Sequence, residues 1–197
     1  MYEEPGPGAK MNAQIPELVI GFVEGSDADF AKLVRMFRRR VYSLAFRLLG
    51  NHLDADEVVQ ETFVRIHRKR GELREIKYFS TFLMRVATNY SIDLIRRRKG
   101  HNSMEDGTES LPGDVQMDLA KRVSTPSQEF ENKKIMMEIR TALDKLPPKQ
   151  RLTAILHDIE GYTKPEVAVI MECPEATVRS NLHIARTKLK RSLKHRL

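Results

Sequence analysis

The 197-residue chain has no tryptophan and one cysteine, Cys173. A lone cysteine excludes an internal disulfide and a cysteine-rich zinc site. No apolar run reaches the roughly 18 residues that a membrane-spanning helix needs, and the opening "MYEEPGPGAK" lacks the basic-then-apolar layout of a secretion signal. A cytoplasmic protein without membrane insertion is therefore expected. The histidines (52, 67, 101, 157, 183 and 195) are scattered, with no helical pair at the spacing of a metal site such as HExxH. Glycines form no phosphate loop. No catalytic residue, metal site or cofactor is predicted, and an enzyme is not expected.

What the chain does have is positive charge. Thirty-four Lys and Arg against 27 Asp and Glu give a formal charge of +7 and a pI near 9.6. That balance favours a polyanionic partner, of which nucleic acid is the commonest in a cytoplasm. Hydrophobic residues at 41% and charged residues at 31% suit a folded protein with a heavily charged surface.

Periodicity divides the chain into four parts. Residues 1–25, with Pro5, Gly6, Pro7, Gly8 and Pro16, are expected to be a flexible arm. Residues 26–100 carry three helical patterns. Phe30, Leu33, Val34, Phe37, Val41, Leu44 and Leu48 recur at spacings of three and four, and Gly50 ends that pattern. A second helix is expected from Asp54 as its cap, with Val59, Phe63 and Ile66 inward. A third is expected over about 80–98, burying Phe82, Leu83, Val86, Ala87, Tyr90 and Leu94. Residues 101–127 are expected to be an acidic linker: Glu105, Asp106, Glu109, Asp114 and Asp118 occur in 101–118, which has no Lys or Arg. Residues 128–197 are helical again. "LPP" at 146–148 stops one helix and opens the next, and "TKPE" matches a capping box of Thr163 and Glu166.

The fold class expected is all-α, with two small helical domains and a helix-turn-helix in the second. A short capped helix, the turn "ECPEAT" and a basic helix make that pattern. On a helical wheel Val178, Leu182, Ala185 and Leu189 form the inner stripe. Arg179, Ser180, His183 and Ile184 face outward near the helix start, where a recognition helix meets base edges. Thr177 and the first amides suit a phosphate. Arg186 and Lys190 belong to a run without acids, from Arg179 to Arg196, that supplies the backbone grip. A basic helix lying on a protein surface is the competing reading of these residues alone.

Residues 142–193, "ALDKLPPKQRLTAILHDIEGYTKPEVAVIMECPEATVRSNLHIARTKLKRSL", resemble the promoter-reading domain of bacterial extracytoplasmic-function (ECF) sigma factors. "DADEVVQETFVRIHRKR" (54–70) and "FSTFLMRVATNYSIDLIRRRK" (79–99) resemble that group's polymerase-binding and −10-element segments. The resemblance implies partners: core RNA polymerase (its β′ coiled coil and β flap), promoter DNA and, in the family, often an anti-sigma factor. It implies that Asp54, Asp56, Glu57, Gln60 and Glu61 dock on polymerase. It also implies that Tyr78, Phe79 and Asn89 line a pocket for an unstacked −10 base, with Arg96, Arg97 and Arg98 on adjacent phosphates; a place for Phe79 wholly within the core is the competing reading of that residue. The expected function is then direction of core polymerase to promoters; the alternative is a stand-alone helix-turn-helix regulator. Three departures stand out. Phe82 occupies a position usually Trp, Asn181 and Ile184 stand where the family often has Arg, and the loop "GELREIKYFS" is divergent.

Overall fold

The computed structural model describes residues 7–75, 78–102, 135 and 137–194, and among these the regular structure is helical, with no strand. Expectations for most of the acidic linker lie outside the described residues.

The first helix overturns an expectation. Residues Pro7–Glu24 form α1, where a flexible arm was expected. Its proline content misleads, because Pro7 sits at the helix start, where a missing N–H costs nothing. Ile15, Leu18, Val19 and Phe22 make an apolar stripe, and Val19 and Phe22 are buried in the core. Phe22 stacks on Phe30 with ring centroids 4.5 Å apart. Gly25, at φ 111°, takes the left-handed turn that separates α1 from α2.

Helix α2 (Asp27–Leu49) is capped by Ser26, whose hydroxyl accepts from Asp29 N, and closed by left-handed Gly50. Helix α3 (His52–Arg68) starts two residues earlier than expected. Asn51 caps it by accepting from Asp54 N at 2.8 Å, so Asp54 is a first-turn residue, not the cap. A 3-10 turn, Arg70–Glu75, leads toward α4 (Phe79–Asn102). Leu33, Phe37, Val41 and Leu44 of α2 bury against Ala55, Val58 and Ile66 of α3 and Leu83, Met84 and Ala87 of α4.

In the second half, residues 137–144 form α5, and α6 (Pro148–Ala154) runs directly into a π turn, Ile155–Ile159. Its wide geometry is closed by Glu160 N donating to Ile155 O at 2.9 Å. Helix α7 (Lys164–Ile170) has the expected capping box: Glu166 N donates to Thr163 Oγ1, and Thr163 N donates to Glu166 Oε2. Thr163→Ala is expected to lower unfolding stability by about 1 kcal/mol, read as a reduced midpoint in urea. Helix α8 (Glu175–Ser192) follows a turn containing Glu172, whose φ of 50° is unusual for a residue with a side chain.

The two halves pack on each other. Leu152, Ile155, Leu156, Tyr162, Val167 and Ile170 join the core cluster of α2 to α4. Arginines then tie the seam. Glu160, only 10% exposed, receives Arg40 Nε at 3.1 Å and Arg47 Nη1 at 2.8 Å. Arg40 also donates to Glu160 O and lies over the Tyr162 ring. Burial pushes the Tyr162 phenol up to about 12, with Arg40 opposing the shift. At the end of α2, Arg151 donates to Leu48 O at 3.0 Å and Arg140 to Gly50 O. Those carbonyls lack helical partners and carry the negative end of the helix dipole, which is why cations collect there.

Candidate nucleic-acid interface

Helix α8 is held by its inner stripe. Val178, Leu182 and Ala185 are buried, which leaves Thr177, Arg179, Ser180, His183, Ile184, Arg186 and Lys190 exposed, all on the outer side of the helix. Lys164 at the start of α7 faces the same side. With Arg179, His183, Arg186 and Lys190 it lines a basic cleft of about 360 Å³, floored by Leu182. Ile184, 37% exposed, is an apolar group on an otherwise polar face. Such a group suits contact with a thymine methyl.

Two arginines on this helix are already oriented. Arg179 Nη2 donates to Glu175 Oε1 at 2.7 Å, one helical turn back. Arg186 is held by Asp158 of the π turn, and this hydrogen bond raises the guanidinium's pKa further above its ordinary value. Neither carboxylate was singled out in the sequence. Glu175 had a readable signal, the i, i+4 spacing to Arg179. Asp158 had none, since it meets Arg186 across 28 residues through the tertiary fold.

On α4, spacings of four and seven place Arg85, Asn89 and Arg96 on one face. Asn89 Nδ2 lies 3.5 Å from Glu172 Oε2, and Arg85 lies 3.7 Å from Oε1 of the same residue. The strained turn ahead of α8 therefore sits on the α4 face that carries Asn89 and Arg96, two of the predicted −10 residues. Tyr78 is 64% exposed. Phe79 is instead 4% exposed and packs edge-on against Phe37, which places it in the core wall. Arg96 pairs with Asp93, Arg97 lies over the Tyr90 ring, and Arg98 binds Asp54.

The acidic start of α3 divides in two. Asp54 is buried and held by Asn51 and Arg98. Glu57 accepts from the Tyr90 hydroxyl, a bond that raises the phenol's pKa above its ordinary value. Glu61 pairs with Arg65 at 2.7 Å. Asp56 and Gln60 are exposed. Between them and the cap stands Leu53, 84% exposed. The sequence reading missed it, although it falls off the stripe of Ala55, Val58, Val59 and Phe63. No cluster of three or more potential metal ligands occurs among the described residues.

A family model for Sigma-70 region 2 matches residues 33–101, and one for Sigma-70 region 4 matches residues 136–189. The chain is a member of the sigma-70 family's ECF group. Among its relatives, "ECF RNA polymerase sigma factor SigE" of Mycolicibacterium smegmatis is 37% identical over 81% of this chain and 59% of its own length. "ECF RNA polymerase sigma factor SigW" of Bacillus subtilis is 29% identical over 93% of this chain and 99% of its own. Two solved structures share the fold. The sigma factor RpoE of Bartonella quintana, in complex with the anti-sigma factor NepR, gives a TM-score of 0.67 at 23% identity, covering 84% of this chain and 97% of its own. CnrH, in complex with the cytosolic domain of CnrY, gives 0.65 at 21%, covering 90% and 96%. The sigma factor's two matched regions coincide with α2 to α4 and α5 to α8, in the order that the resemblance implied. These matches support the sigma reading and not the stand-alone regulator. No helix among the described residues is long and apolar enough to cross a membrane.

Proposed function

We propose that this sigma factor docks on core RNA polymerase through the start of α3, reads the −35 element with α8 and engages unpaired −10 bases along α4. Residues 26–100 and 128–197 would be its two working domains. The observation that carries the reading is α8: an exposed, outward row of Arg179, Ser180, His183 and Ile184 on a helix whose inner stripe locks it to α6 and α7. Thr177 and Lys190 supply phosphate contacts at either end. On α3, Asp56 and Gln60 with Leu53 offer polymerase a small apolar patch among acceptors. Asp54, Glu57 and Glu61 order that surface through Arg98, Tyr90 and Arg65. On α4, Asn89 and Tyr78 are the base-facing groups, with Arg96 and Arg97 toward phosphate, while Arg98 is committed to Asp54. The chain works in the cytoplasm and performs no covalent step; binding energy favours the unpaired promoter. An anti-sigma partner, as named in the two solved complexes, is part of the same proposal.

Footprinting on a promoter-containing fragment tests this. With core polymerase the chain is expected to protect one asymmetric site with both elements. Alone it is expected to protect none at the same concentration, because each half contacts only part of the site. A two-fold symmetric footprint without polymerase would contradict the proposal.

A further inference from the structure

Arg186 stands in the middle of α8, and a carboxylate from another element grips its guanidinium. Nε donates to Asp158 Oδ2 at 3.2 Å and Nη2 to Oδ1 at 2.6 Å. This two-bond geometry fixes both the position and the plane of the group. Asp158 reaches α8 from the π turn. Ile155 and Leu156 of that turn are buried, while Asp158 lies exposed on its outer side. Arg179 is held differently, by a residue of its own helix and through a single carboxylate oxygen.

Charge decides what Arg186 suits. A guanidinium matched by an adjacent carboxylate is a poor phosphate grip, because Asp158 opposes a second anion. Its remaining N–H donors keep a fixed plane, which suits the paired acceptors O6 and N7 of guanine. Lys164 and Lys190 line the same cleft and carry compact charges suited to phosphate. The backbone term therefore has other sources than Arg186.

Resting on the reading of α8 as the −35 helix, we propose that Asp158 is a positioning residue that makes Arg186 a reader of one guanine, not a phosphate grip. The nearest competing role for the pair is a tie that merely stabilises the helix-turn-helix. The two differ in what Asp158 removal does: loss of a tie weakens every promoter alike, whereas loss of positioning erases preference at one base.

The test is transcription by core polymerase from a library of randomised −35 elements, with the wild-type chain and with Asp158→Asn, Asp158→Ala, Arg186→Lys and Arg186→Ala. Wild type is expected to favour guanine at one position by about tenfold. Arg186→Ala, Arg186→Lys and Asp158→Ala flatten that position and leave the others unchanged. Asp158→Asn, which keeps one acceptor, falls between. The salt slope of promoter binding stays the same for Arg186→Ala, whereas a lost phosphate contact lowers it by about one. Two results overturn the proposal. One is uniform weakening by Arg186→Ala with a lower salt slope. The other is a guanine preference that survives in both Asp158 variants but not in Arg186→Ala. If the wild-type chain directs no promoter-specific transcript, the sigma reading itself fails, and this is a distinct outcome. Should Asp158→Ala not fold, the isosteric Asn variant and Arg186→Lys carry the result.

Discussion

Glu160→Ala is expected to separate the two halves of the free protein. One nearly buried carboxylate holds two arginines of α2, and removing it leaves Arg40 and Arg47 side by side on α2 without their carboxylate partner across the seam. Breaking a fully buried pair costs about 3–5 kcal/mol. These arginines keep a quarter to a third of their surface in water, so about 2 kcal/mol is expected, a roughly 30-fold shift in the closed-to-open ratio. Small-angle scattering reads this as a larger radius of gyration, and raising salt should move the wild-type protein the same way. An unchanged radius in Glu160→Ala would show that the seam does not depend on this pair.

The separation matters because, on the roles proposed for α4 and α8, the arrangement observed cannot lie on a promoter. Elements named −10 and −35 are about 25 base pairs apart, or about 85 Å of duplex at 3.4 Å per pair. Yet Glu172, in the turn preceding α8, touches Asn89 and Arg85 on α4. Both faces cannot meet the DNA elements proposed for them in this packing. Glu160→Ala is accordingly expected to form the polymerase complex faster than wild type.

Leu53→Asp is expected to reduce affinity for core polymerase by at least 30-fold without changing thermal stability. An exposed leucine contributes about 2 kcal/mol when a partner covers it, and a carboxylate in its place adds a desolvation cost. Because Leu53 is 84% exposed, its replacement disturbs no packing. Asp54→Ala should behave in the opposite sense. Asp54 is buried and binds Arg98 and the capping Asn51, so its loss lowers stability first and polymerase binding as a consequence. Competition against a labelled sigma factor for core polymerase, paired with thermal unfolding, separates the two. Wild-type affinity in Leu53→Asp would remove the start of α3 from the polymerase surface.

Much of the fold was legible because it depends on local chemistry. The three- and four-residue spacing of Leu33, Phe37, Val41 and Leu44 defines α2, Gly50 ends it, and the Thr163–Glu166 box starts α7. Helix α1 was missed because prolines and glycines near its start outweighed the stripe of Ile15, Leu18, Val19 and Phe22. The π turn was missed for a different reason: Ile155 and Ile159 also fit an ordinary helix, and only Glu160 N bonding to Ile155 O reveals the wider turn. For the candidate site, the wheel placed α8's outer residues on the face that the structure leaves open. It had no means of finding Asp158, Glu160 or Glu172, whose partners lie 28, 113 to 120 and 83 to 87 residues away, respectively. Phe79 was legible as an alternative: an aromatic there suits a core wall as well as a base pocket, and its burial against Phe37 decides for the core.

Run-off transcription with purified core polymerase, with and without this chain, on templates drawn from the genome that encodes it, bears most directly on the role proposed for this sigma factor. The expected result is discrete transcripts that appear only with the chain and disappear when Arg179 and Ser180 are both replaced by alanine. Transcripts identical with and without the chain would contradict it.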